Sequence, residues 1–181
     1  MKSASFALCA LLLALPAFGA ESATVTVTSK TAGVDFEYDL TLKDTGSTNI
    51  GTLWFAWVPG EDFLATSPIS ETTPAGWTSP PSITHGGSTD GYAIQWVATT
   101  PLTPGQSLSG FSFTTADAPA SVSGNSAFYP ATPTETSFVY SGAPFSDAGF
   151  QFVAQNVPEP ASVLWLGLGA AGFLLRSKRP L

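Results

Sequence analysis

Ten consecutive residues, Val34-Asp35-Phe36-Glu37-Tyr38-Asp39-Leu40-Thr41-Leu42-Lys43, place apolar side chains at every even position and polar ones at every odd position. A helix would spread such a pattern around its whole circumference, whereas an extended chain sorts it onto two faces. The segment therefore predicts a β-strand with one face in a core and the other in water. Thr24 to Thr28 alternates in the same way, and Asp44 to Gly51 carries the Asp, Gly, Ser and Asn of a turn. Leu53-Trp54-Phe55-Ala56-Trp57-Val58 is apolar at every position, as expected of a central strand covered on both sides, and Pro59-Gly60 ends it. Glu61 to Gly91 reads as loop-rich, because Pro68, Pro74, Pro80 and Pro81 interrupt any long regular element. Further strands are expected at Tyr92 to Val97, Ser107 to Phe113, Thr136 to Tyr140 and Gly149 to Val153. No window shows a capped helical stripe. About seven or eight strands without an internal repeat predict an all-β fold, a single antiparallel β-sandwich of immunoglobulin-like character.

The two ends of the chain differ from this middle. Lys2, an apolar stretch from Phe6 to Leu15, Pro16 and the small residues Ala17, Gly19 and Ala20 have the order of a secretory signal peptide over residues 1–20. Cleavage after Gly19 presents Ala17 and Gly19 as the small residues a signal peptidase requires; cleavage after Ala20 would present bulky Phe18. A run of ten apolar residues spans about 15 Å as a helix, half of a roughly 30 Å hydrocarbon core, too little for a lasting anchor. Cys9, the only cysteine, lies inside this segment. The mature chain is thus expected to have no disulfide, no thiol nucleophile and no cysteine-bound zinc.

At the other end, Val157-Pro158-Glu159-Pro160 precedes an apolar run from Ala161 to Leu175 and the basic cluster Arg176, Lys178 and Arg179. Pro158 and Pro160 disfavour helix before them and keep the segment extended. A helix over 161–175 would be about 22 Å long, short for a bilayer. Gly169 and Gly172 would allow it close contact with another helix, and the basic end would stay in the cytoplasm. The order of these three parts resembles the PEP-CTERM sorting domain of exosortase substrates. The resemblance is confined to this tail, about residues 157–181, within a sorting region taken as 155–181. It implies processing near Val157 to Pro160 by an exosortase, a membrane enzyme. The ectodomain would be released or passed to the envelope of a Gram-negative bacterium that secretes exopolysaccharide. A plain single-pass anchor is the competing reading of the apolar run. Ala75-Gly76-Trp77, Ile94-Gln95-Trp96 and Pro104 to Phe111 loosely resemble ectodomain segments of the same proteins and carry no activity with them.

The β-domain, residues 21–154, is large enough to bury its own core. From Glu21 to Asn156, twelve acidic residues face only Lys30 and Lys43, a net charge of −10. Nucleic acid is excluded as a partner, since phosphate neutralisation needs clustered Lys and Arg. Asp35, Glu37 and Asp39 share one strand face and form the best Ca²⁺ candidate. Alternate strand residues sit nearly 7 Å apart, however, so a solvated face is the simpler reading. His85, the single histidine, could join a triad only with Ser88 and Asp90; an exposed loop histidine fits better, and no enzyme is expected. No cofactor is expected either. Trp54 and Trp57, three apart in one strand, should point to opposite faces, and Trp96 reads as core. Trp77, placed on a loop, is the best exposed candidate to stack on a sugar of envelope or secreted polysaccharide, against a simpler reading as a cap on the sandwich.

Overall fold

The computed structural model describes residues 20–78, 83–84 and 90–157. Thirteen strands and one helical turn occupy them in this order. The first five strands are β1 (Ala23–Ala32), β2 (Asp35–Asp44), β3 (Ile50–Phe55), β4 (Trp57–Val58) and β5 (Glu61–Asp62). β6 (Ser70–Thr72), β7 (Trp77–Thr78) and β8 (Ile83–Thr84) are short; β9 (Tyr92–Leu102) and β10 (Ser107–Thr115) are long. The turn α1 (Pro119–Val122) precedes β11 (Thr136–Tyr140), β12 (Phe150–Val153) and β13 (Gln155–Asn156). The short strands β5 to β8 lie in the stretch expected to be loop.

Two sheets carry the fold. One has the order β13-β1-β2-β10-β6, the other β12-β11-β3-β9-β7, with β8 attached to β9 and β4-β5 forming a small ribbon. Among the described residues the pairing of β1 with β13 is parallel and the other strand pairings are antiparallel. The alternation in β2 acts as expected: Tyr38, Leu40 and Leu42 are buried while Asp39 and Lys43 face solvent. Val34 departs from the pattern. It is 92% exposed in the two-residue turn Gly33-Val34 that joins β1 to β2, so the strand begins at Asp35.

The inner faces of both sheets share one core, with Val25, Val27, Tyr38, Leu40 and Phe113 from the first and Leu53, Phe55, Ile94, Trp96 and Val139 from the second. Rings meet across the layers, Phe55 on Phe113 with centroids 5.4 Å apart and Trp96 on Phe111 at 5.4 Å. Tyr38 stacks on Phe113, and its hydroxyl donates to the Asp117 carbonyl at 2.6 Å, which satisfies a polar atom that burial would otherwise leave costly. Gly110 takes φ +98° at the bulge where β10 skips register against β2, a conformation that side-chain-bearing residues resist.

The second sheet is covered on its outer face as well. Trp54, Trp57, Ala93, Phe138 and Tyr140 form a separate buried cluster there. This corrects the expectation for Trp54 and Trp57, whose rings stack on one another with centroids 3.9 Å apart. The apolar run is not one strand. Ala56 adopts φ +59° between β3 and β4, which turns the chain and folds Trp57 back over Trp54. Phe145, also at positive φ (+62°) and 62% exposed, lies against Trp57 and Tyr140 at 5.7 and 5.6 Å.

Candidate functional site: the junction of the β-domain and its tail

The chain reaches its tail by changing sheets. β12 pairs with β11 at the edge of the second sheet, Val153 opposite Thr136, and buried Ala154 donates its N–H to the Glu135 carbonyl at 3.0 Å. Directly afterwards β13 lies along β1 in the first sheet, with Gln155 beside Thr26 and Asn156 beside Val27. The Val157 N–H then donates to the Val27 carbonyl at 2.8 Å. One side-chain contact reinforces this strand, the Asn156 Nδ2 donating to Glu135 Oε1 at 2.6 Å. Glu135 is buried, and burial pushes its carboxyl above the usual range although the Asn156 amide partly offsets the shift. Gln155 and Asn156 themselves are exposed, and Val157 is 45% exposed. Among the described residues Val157 is the last one bonded to β1, and Pro158 follows it in the sequence.

The start of the domain is held in a comparable way. The Ala20 N–H donates to Ser47 Oγ at 2.9 Å, and the Ser47 N–H returns a bond to the Ala20 carbonyl at 3.0 Å. Gly46 makes this approach possible, since a Cβ there would lie 2.5 Å from the Ala20 oxygen. Glu21 Oε1 and Asp147 Oδ2 both accept the Ser141 N–H, at 2.8 and 3.0 Å. Burial, then the neighbouring Asp147, push the Glu21 carboxyl up. Burial works against the charge on Asp147 too, but bonds from Ser141 and Gly149 outweigh it and hold that carboxyl below the usual range.

Among the residues singled out from the sequence, Val157 lies at the junction. Pro158, Glu159, Pro160, the apolar run 161–175 and the basic Arg176, Lys178 and Arg179 fall outside the described residues, as do residues 1–19 of the N-terminal segment, Cys9 included. His85 and Ser88 also lie outside them. Asp35, Glu37 and Asp39 sit on β2, but Lys30 from β1 bridges Glu37 at 3.2 Å and Asp39 at 3.1 Å. Among the described residues no group of His, Cys, Asp and Glu is arranged to hold a metal ion. Trp77 is a strand residue of β7 and not a loop residue. It is only 7% exposed and meets Phe111 edge to face at 5.1 Å, so it offers no open face for a sugar ring. This placement agrees with the simpler reading of Trp77 as a packing residue. A cleft of about 210 Å³ between Phe63, Asp117, Ser121 and Thr134 holds polar groups already engaged within the fold. Asp117 Oδ2 accepts the Thr66 N–H at 3.0 Å and Thr134 Oγ1 donates to the Ser121 carbonyl at 3.3 Å.

Sequence reasoning missed Glu135 and Asn156 as a pair. Twenty-one positions separate them, and no local pattern marks a contact that depends on β12 and β13 lying in different sheets.

With this geometry in place, the tail can be identified. Residues 156–179 match the family described as the PEP-CTERM protein-sorting motif. The chain therefore ends in a sorting motif whose first matched residue, Asn156, is the last residue of β13. A motif of this kind implies exosortase-dependent sorting of a secreted or surface protein. No curated protein and no solved structure matches the chain. Among the described residues no helix is long and apolar enough to cross a membrane.

Proposed function

We propose that this chain is an exported bacterial protein of the cell surface or of an exopolysaccharide biofilm matrix. In this reading a signal peptidase removes the N-terminal segment after Gly19. The apolar run 161–175 crosses the inner membrane transiently as a helix, with Arg176, Lys178 and Arg179 on the cytoplasmic side. An exosortase then cuts near Val157 to Pro160 and the β-domain, an immunoglobulin-like sandwich, passes to the envelope of a Gram-negative cell. The domain's own part is structural and not catalytic.

The observation that carries this reading is the match of the PEP-CTERM motif over residues 156–179. Physical arguments support it. Fifteen apolar residues make a helix of about 22 Å, which suits brief docking on a membrane enzyme better than permanent residence in a bilayer of about 30 Å. An acidic, cysteine-free domain with a net charge of −10 stays soluble outside the cell without any disulfide. The test is the mass of the mature protein from cells with and without the exosortase. Loss of the residues after the Pro-Glu-Pro triplet only in enzyme-bearing cells is the expected result. An intact C-terminus in both strains would leave a permanent anchor and overturn the proposal.

A further inference from the structure

The geometry points to a strand latch: β13 and Val157 must leave β1 before the exosortase can cut, and the Glu135–Asn156 hydrogen bond is the catch that holds them. This inference rests on the processing reading above.

Pairing with β1 and binding in an enzyme cleft compete for this segment. A protein cleft that binds an extended peptide uses the peptide's main-chain N–H and C=O groups, as a sheet edge does when it accepts an added strand. In this protein β1 already takes up one edge of that segment: Gln155 and Asn156 lie in register with Thr26 and Val27, and the Val157 N–H donates to the Val27 carbonyl. The groups on that edge cannot serve β1 and an enzyme at once. Pro158 follows Val157 directly in the sequence, so an enzyme cleft that reaches a few residues to the N-terminal side of the triplet meets this paired segment. The latch is also built to open without unfolding the domain. β13 is two residues long, both exposed, at the outer edge of its sheet, whereas Val25 and Val27 of β1 lie in the core. Its grip is concentrated in a few backbone bonds and one side-chain bond to a buried carboxylate. The enzyme would then act on the released fraction, and its apparent affinity would fall in proportion to that fraction.

Thr26 and Gln155 are register partners, both exposed and both outside the matched motif, so a disulfide between them can pin the latch without altering the motif. Cys9 is the one native cysteine and is replaced by Ser in every variant. The full chain carrying Thr26→Cys and Gln155→Cys is expressed in exosortase-bearing cells, where the oxidising envelope closes the bond. Conversion of precursor to processed protein is followed by pulse-chase. Conversion is expected to fall at least about tenfold and to recover on adding a reductant, with both single-cysteine variants at the reference rate. Glu135→Ala, which removes the catch from outside the motif, is expected to raise conversion about fivefold, the loss of one hydrogen bond. Normal conversion of the oxidised double-cysteine protein overturns the latch while leaving exosortase sorting intact. Unchanged or slower conversion of a Glu135→Ala protein that still melts cooperatively overturns the catch. Failure of the reference chain to convert at all overturns the sorting reading and the latch together.

Discussion

The two sheets contain strands of comparable length but obey different rules. β2 in the first sheet has one wet face and one dry face, and its sequence declares this by alternating from Asp35 to Lys43. β3 in the second sheet is buried at all six positions, because the aromatic cluster of Trp54, Trp57, Phe138 and Tyr140 covers the side turned away from the shared core. A half-exposed strand can be read from sequence because water imposes the pattern. A strand buried on both faces loses that pattern, and with it the information on where the strand ends and which way each ring points. The misplacement of Trp57 follows from this difference.

The largest effect should come from removing the cover of the second sheet. Trp57→Ala deletes a fully buried ring stacked on Trp54 and is expected to cost about 3–5 kcal/mol in urea unfolding. A loss below about 1 kcal/mol would mean that the outer cluster is not a second core. Next comes the turn at Ala56. In an ordinary strand Val would be welcome and Gly harmful. At φ +59° the order should invert. Ala56→Val is expected to cost about 2 kcal/mol through left-handed strain and crowding, and Ala56→Gly to stay within about 0.5 kcal/mol of the native protein. Val more stable than Gly at this position would restore the single-strand reading.

A smaller effect concerns pH. The Glu135 carboxyl lies above its ordinary value of 4.5, so the folded state holds that proton more tightly than the unfolded state. This contribution to stability is complete below 4.5 and is lost as pH rises through the folded value. Glu21 and Asp44 shift in the same direction, while Asp147 shifts the other way and loses its contribution at low pH. Glu135→Gln should therefore flatten the decline in melting temperature above pH 4.5, and an unchanged slope would remove Glu135 as its source. The smallest effect belongs to the wet face of the first sheet. Lys30→Ala breaks exposed ion pairs to Glu37 and Asp39, and its melting temperature should match the native value within error. A clear drop would show that this face does more than meet solvent.

Legibility varied in the same way at the candidate site. The Pro-Glu-Pro triplet, the apolar run and the basic end are local features in a fixed order, and the family match covers them. The attachment of the tail to the domain was not readable. Nothing near Gln155 announces a parallel partner in β1, more than a hundred positions earlier in the chain. The choice between an exposed and a packed Trp77 was left open in the sequence for a related reason. Pro74 and Gly76 mark a turn correctly, but whether the next ring faces water depends on β9 and on Phe111 beneath it.

The amino-acid order alone settled an all-β domain, the two-faced β2, the absence of any stabilising disulfide after Cys9, and the identity of the tail, because each depends on neighbours within a few positions. Tertiary structure decided the left-handed turn at Ala56, the second aromatic layer, the burial of Trp77, and the seating of β13 on β1 beside Glu135. Those features arise where segments distant in sequence compete for the same buried space and the same backbone hydrogen bonds. Such competition is resolved only when all the partners are present.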